Sequence, residues 1–337
     1  MRLTSKSTLD GIKTGYLPRK LTSIDNPEPL VGARPPTPLS LYRNNKKLNV
    51  TDISTKYCEL LDFYDLRSGK KVETAAMAAG TVVHLALEKE AEKHLVKVTL
   101  PDTLKLSREE EMAKKFLDLI ARLNAMLAGH AVREFYTFGL VDDCLITGYI
   151  DELGRGPDNS LIISDTKSRV KGTLPPVSQR LSAYHQLLVY HKLLLSMLHD
   201  SELAQSLPRL YEAFEVDPNR PFSNEFVIAL ENKYSSLSLI ESRLRELLHK
   251  VAFKLNVSDE IQVSYRRSTG TNAGALIDTC RYIYDEQAFQ ELKEFSLQFW
   301  RGERDAIGVD PAERNKCRTC QWFDRCEWRA TMDAAML

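Results

Sequence analysis

Residues 144–169 read CLITGYIDELGRGPDNSLIISDTKSR, and this stretch decides the fold. Two runs rich in β-branched and aromatic residues flank the turn GRGPDNS at 154–160, which signals a hairpin. Side chains alternate across a strand, so Asp165 and Lys167, two apart, project from one face. Asp151 closes the preceding strand, and the hairpin brings it beside Asp165. Two adjacent carboxylates repel one another and raise each other's proton affinity. A hard divalent cation, Mg²⁺ or Mn²⁺, removes that conflict and keeps waters for a substrate. A lysine beside such a cation can orient or deprotonate an attacking water, or balance charge as a phosphate reacts. Alone, Asp-x-Lys is common on exposed strands, so its neighbours matter.

Upstream, REFYTFGLV at 133–141 reads as a further strand, and residues 73–95 and 109–128 read as helices rich in Ala, Leu and Glu. His84 and Glu88 are four apart and share a face of the first helix. Downstream, residues 177–199 read as helix, with Gln186 and Tyr190 again four apart. Residues 223–255 read as helical, EIQVSYRR at 260–267 and ALIDTCRYIYD at 275–285 as strands, and 286–301 as a last helix. That order predicts a mixed α/β fold: a central mixed sheet flanked by helices, with helical insertions.

The chain has 337 residues, 46 basic against 46 acidic side chains, and 43 % hydrophobic residues. No apolar run approaches the roughly 18 residues a membrane helix needs, so no membrane partner is expected. The opening residues MRLTSKSTLDGIKTGY lack the apolar core of a secretory signal. The zero net charge hides a division. Residues 1–48 carry nine Lys/Arg, three Asp/Glu and six of the fourteen prolines. Residues 1–47 therefore read as a basic, Pro-rich arm, disordered or targeting, ahead of one domain at 48–337. Binding of nucleic acid by bulk positive charge is excluded; binding by a local field is not.

Cys317, Cys320 and Cys326 stand in KCRTCQWFDRC, a CxxC followed by five residues and a third cysteine. Three thiols so close suit a soft metal or cluster. Cys144 and Cys280 fall inside expected strands, as small buried apolar residues do. Cys58, in STKYCELLDFYDL, is the remaining fourth ligand. Zinc and iron–sulfur fit the spacing equally, and free thiols are the third reading. Ligation of Cys58 and Cys317, 259 positions apart, would tie the ends of the domain together.

The ordered set His84, Asp151, Asp165-x-Lys167 and Gln186-x-x-x-Tyr190 resembles the PD-(D/E)xK nucleases of the RecB type. An upstream cysteine with a C-terminal CxxC-x5-C is similar to their iron–sulfur subgroup. Within it, residues 48–330 most resemble the exonuclease V family, in TDISTKYCELLDFYDL, AAGTVVHLALEKE, ITGYIDEL and KCRTCQWFDRC. The resemblance implies a restriction-endonuclease-like core closed by a [4Fe-4S] cluster on Cys58, Cys317, Cys320 and Cys326. It implies Mg²⁺ held by His84, Asp151 and Asp165, with Lys167 as the catalytic lysine. Glu88, Gln186 and Tyr190 would support the site or position the strand. The third motif departs in carrying Asp165 where many members carry Glu.

The implied activity is hydrolysis of single-stranded DNA from an end, releasing short oligonucleotides, in DNA repair or genome maintenance. Mitochondrion or nucleus is the expected compartment, the chain a monomer, and a single-strand-binding protein its accessory partner. Arg169, Lys171, Arg266 and Arg267 are candidate phosphate contacts. Trp322 and Trp328, flanking cysteines, are expected to pack around the cluster. A non-catalytic, metal-stapled binding module and a prokaryotic-type or CRISPR-associated nuclease are the competing readings. The chain carries no GxxxxGK[ST] motif that would join it to a helicase.

Overall fold

The structure, a computed structural model, describes residues 36–54, 57–69 and 75–334. The arm as far as residue 35, and with it any targeting role, lies outside the described residues. Residues 36–47 are not arm. Thr37 caps a short helix, α1 (Pro38–Arg43), and Leu39 and Tyr42 pack against the core. There follow β1 (Leu48–Asn49), α2 (Val50–Ile53), α3 (Glu59–Ser68), α4 (Ala75–Glu92), α5 (Arg108–Leu127), β2 (Val132–Val141), β3 (Cys144–Arg155) and β4 (Leu161–Arg169). The second half holds α6 (Val177–Leu198), α7 (Asp200–Phe214), α8 (Asn224–Ala229), α9 (Leu237–Lys254), β5 (Val257–Arg267), β6 (Leu276–Ile283), α10 (Glu286–Trp300) and α11 (Glu327–Ala334).

The strands make one mixed sheet flanked by helices, as expected from the sequence. β2 pairs antiparallel with β3 along almost its whole length, from Val132↔Leu153 to Val141↔Cys144. The other edge of β3 is shared. β1 takes Ile146 and Thr147, in parallel, and β4 takes residues 152–155, antiparallel. Past Ser164, β4 leaves β3 and runs parallel to β5, from Asp165↔Val263 to Arg169↔Arg267. Residues 148–151 of β3 are thus left between two neighbours. No helix among the described residues is long and apolar enough to cross a membrane.

Local chemistry explains most boundaries. Ser107 and Glu110 form a reciprocal capping box that starts α5, where four N–H groups would otherwise lack partners. The expected continuous helix over 223–255 is instead two. Glu231 and Asn232 take positive φ of 54° and 57° between α8 and α9, which no helix tolerates. α7 went unread because Pro208 sits inside it, where proline ordinarily breaks a helix. The chain ends meet: Ser296 Oγ donates to the Ile53 carbonyl at 2.6 Å and Trp300 Nε1 to that of Asp52 at 3.0 Å.

His191 on α6 is 2 % exposed. Its Nε2 donates to the Ser258 carbonyl at 3.2 Å, its ring stacks on Tyr284 at 3.9 Å, and its Nδ1 has no partner among the described residues. Burial holds its pKa below the usual value, against the opposing pull of Ser258, Asp259 and Glu286; Lys192 adds to the lowering. As pH falls below the unfolded imidazole's value near 6.5, the unfolded chain binds a proton that the folded chain refuses, so stability falls. His191→Gln should flatten this decline by up to about 1.4 kcal/mol per pH unit, measured by urea unfolding at about pH 7.5 and about pH 5.5.

Candidate active site

β4's departure from β3 decides the local chemistry. The Thr166 N–H is given to the Asp151 carboxylate, which accepts it at 2.7 Å. The Thr166 carbonyl accepts from His84 Nε2 at 2.9 Å. A carbonyl can only accept, so Nε2 carries the ring proton and Nδ1 presents its lone pair. That lone pair faces Asp151 Oδ2 at 3.7 Å. Burial lowers the His84 pKa, keeping the ring neutral. Burial first, then the neighbouring Asp165, push the Asp151 carboxyl well above the usual carboxylate range.

A third oxygen donor joins them, one that reading the sequence had missed. Glu134, opposite Asp151 between the pairs Arg133↔Glu152 and Phe135↔Ile150, has a ligand atom within 4.8 Å of those of His84 and Asp151. Its φ is +51°, a left-handed conformation in mid-strand. Such strain persists where surrounding structure imposes it, and it gathers at functional sites. Burial, then Glu88, raise the Glu134 pKa. Glu88 lies on the rim, 3.9 Å from Arg122. A neutral imidazole lone pair and two oxygens converge here without a cationic side chain among them. This donor set fits a hard divalent cation.

Asp165, expected as a metal ligand, lies outside the set within 4.8 Å but beside it. Its carboxylate takes the Lys167 ammonium, with Nζ 3.0 Å from both oxygens. Lys167 also donates to Gln186 Oε1 at 2.8 Å. Burial alone would lower the Lys167 pKa; Asp165 and Asp151 outweigh it, and the net shift is upward. Lys167 is therefore an ammonium and a donor, not a base. Tyr190, on the same helix as Gln186, is buried against the chain at Gly148 and Tyr149. Arg133 reaches the Thr166 hydroxyl at 3.2 Å and pairs with Glu152, bracing the residue that holds both His84 and Asp151.

The expected basic contacts lie past Lys167. Register sets Arg169 beside Arg267 and Ser168 beside Arg266, while Lys171 is exposed in the following loop. Arg169 is weakly held by Gln179 at 3.4 Å, and Arg266 donates to the Gly274 carbonyl at 2.9 Å.

Elsewhere Cys58, Cys317, Cys320 and Cys326 line one pocket with Tyr64, Trp322 and Trp328. The segments are held together by more than sulfur. Glu59 takes both Arg304 guanidinium nitrogens at 2.6 and 2.7 Å, and Asp65 accepts from Trp322 Nε1 at 2.7 Å. Trp328 stands where any side chain at Gly308 would go. Burial pushes the Cys58 thiol up to about 12, and the other three cysteines raise it further. Four sulfurs around one zinc would lie about 3.8 Å apart, from a 2.3 Å bond in a tetrahedron. No three of these sulfurs fall within 4.8 Å of one another. The cage is wider than zinc needs and accommodates a polynuclear cluster.

A methyl group at Gly148 would lie 2.7 Å from Val50 Cγ2 and 2.9 Å from Tyr190 Cε1. Gly148→Ala should cost about 1–3 kcal/mol by overpacking and displace Tyr190, read by chemical denaturation and tyrosine fluorescence.

The comparisons with known proteins agree with this site. A family model described as exonuclease V, a 5′ deoxyribonuclease, matches residues 37–159, 155–233 and 229–329. An exonuclease V from Danio rerio is 26 % identical over 299 residues, covering 87 % of this chain and 73 % of that protein. Among solved structures, the crystal structure of SSO0001 aligns with a TM-score of 0.40 at 12 % identity, over 84 % of this chain and 87 % of that one, too distant to bear on the fold. The matched span takes in both the carboxylate strands and the cysteine cage, and the chain belongs to the exonuclease V family of nucleases.

Proposed function

We propose that this protein is a metal-dependent exonuclease acting on single-stranded DNA, with a structural [4Fe-4S] cluster. One observation carries the reading: the His84 Nδ1 lone pair, Glu134 and Asp151 converge within 4.8 Å beside a lysine held as an ammonium. His84, Glu134 and Asp151 would hold Mg²⁺ or Mn²⁺, with Asp165 adding charge beside them. A divalent cation bound there supplies a water of lowered pKa and neutralises charge developing on the phosphate. The chain's own groups do the rest. Lys167 donates to a phosphate oxygen or to the attacking water, oriented by Asp165 and Gln186. Tyr190 holds the β3 backbone in place beneath it. Arg169, Lys171, Arg266 and Arg267 meet phosphates beyond the cleaved bond.

The cluster's role is to join the α3 segment to the C-terminal segment. Those segments already share the Glu59–Arg304 pair, so the cluster completes a joint rather than carrying electrons.

Asp151→Asn should reduce cleavage of end-labelled single-stranded DNA in Mg²⁺ by at least about a hundredfold, the low end for losing one transition-state contact. Its melting temperature should rise or hold, because a buried like charge is gone. Cleavage at the wild-type rate would rule out the assigned site. Anaerobic purification should yield a brown protein with about four irons per chain, and Cys58→Ser should lose most of them. Colourless protein with stoichiometric zinc would overturn the cluster.

A further inference from the structure

A groove of about 490 Å³ lies between α5, residues 97–100 and the strands β2 and β3, and it reaches the acidic cluster at Glu134. That volume suits a small ligand or part of a longer one. Four cations line it: Lys97, Lys114, Lys115 and Arg122. Two are answered. Lys97 pairs with Glu92 and Asp118, and Arg122 with Asp118 and Glu88. Lys114 is exposed, and Lys115 has no carboxylate within ion-pair distance among the described residues.

Lys115 is unusual in its company. Its ammonium stands 4.8 Å from the Phe214 ring and 5.4 Å from that of Tyr136. Lys47 stands 5.5 Å from the same Phe214 ring, and also reaches Asn49 at 3.1 Å and Thr147 at 3.4 Å. Burial lowers the pKa of each, and the Lys115 charge lowers that of Lys47 further; Glu111 and Asp52 oppose from a distance. Two half-desolvated cations therefore share one aromatic ring. Ring faces attract a cation but do not neutralise it. An anion between them would.

Tyr149 is the second, independent feature. It lines the groove, is 42 % exposed on a strand whose neighbours are mostly buried, and rests on Tyr136 with centroids 5.1 Å apart. Thr147, Tyr149 and Asp151 alternate along β3, so successive members are about 7 Å apart. The row leads from the lysine pair, past an open aromatic face, to the carboxylate at the cluster.

We propose that this groove is a strand-binding subsite, in which Tyr149 stacks a base while Lys115 and Lys47 grip a backbone phosphate remote from the cleaved bond. It rests on the nuclease reading of the carboxylate cluster and adds a positioning surface to it. Base stacking tolerates any sequence, and lysine meets phosphate as a point charge, so the subsite would be indifferent to sequence.

The test is binding by the full chain in EDTA, where cleavage is blocked, read by anisotropy of a 5′-fluorescein oligothymidylate and of its abasic counterpart across a salt series. Tyr149→Ala should weaken the oligothymidylate by about fivefold or more and leave the abasic strand unchanged. Joint Lys47→Ala and Lys115→Ala should weaken both strands and reduce the log–log salt slope by about 1.4, from about 0.7 per lost phosphate contact. Lys115→Arg should keep the slope. The joint lysine variant should melt no lower than wild type, because it removes repulsion. Unchanged binding in both variants overturns the subsite. So does a joint lysine variant that melts lower and whose slope is unchanged, since the lysines would then serve packing alone. A wild-type chain that binds through these residues yet cuts no strand in Mg²⁺ or Mn²⁺ refutes the nuclease reading and leaves the groove standing as a strand-binding surface.

Discussion

One strand edge governs the site. β3 gives one side wholly to β2 and divides the other between β1 and β4. Because β4 departs to join β5, Thr166 offers its N–H to the Asp151 side chain and its carbonyl to His84. A continuous β3–β4 ladder would have satisfied those groups with backbone and left neither side chain oriented. The departure thus sets the imidazole tautomer, aims its lone pair at a carboxylate, and opens space where Glu134 joins from β2. This is an unfavourable arrangement in the free protein, as sites that bind charge commonly are.

The charges around the cluster are sorted by environment. Lys167 lies between carboxylates that keep it protonated, so its role is donation. Lys115 and Lys47 lie away from carboxylates and are pushed toward deprotonation by burial. Arg169, Arg266 and Arg267 sit side by side through parallel register. The same chemical class of side chain thus has three uses, each set by what faces it rather than by its spacing along the chain.

Far from the carboxylates, the chain's ends are joined by direct bonds. Glu59–Arg304, Asp65–Trp322 and the contacts of Ser296 and Trp300 with α2 all cross more than 240 residues of sequence. Each such bond contributes about 1 kcal/mol net, more where charged. A cluster on the cysteines would close a loop of similar length, an effect of about 5 kcal/mol on the polymer estimate. The joint therefore has a protein component that survives without the cluster and a larger one that does not.

The sequence by itself determined the local elements and the chemistry they carry. Hairpin punctuation placed Asp151 near Asp165, period-two spacing put Lys167 with Asp165, and period-four spacing put Gln186 and Tyr190 on one side of α6. The Cys-x-x-Cys frame and Cys58 were legible because thiol spacing is a local signal. Tertiary structure alone decided which groups meet. Glu134 belongs to a different strand, and its left-handed φ leaves no trace in REFYTFGLV. Asp165 shifted from ligand to partner of Lys167, and Tyr149 became an exposed platform only because α5 leaves a groove beside it. The physical reason is that periodicity records a residue's relation to its near neighbours. Register, strand divergence and burial join residues far apart in the chain, and those set proton affinity, tautomer and access.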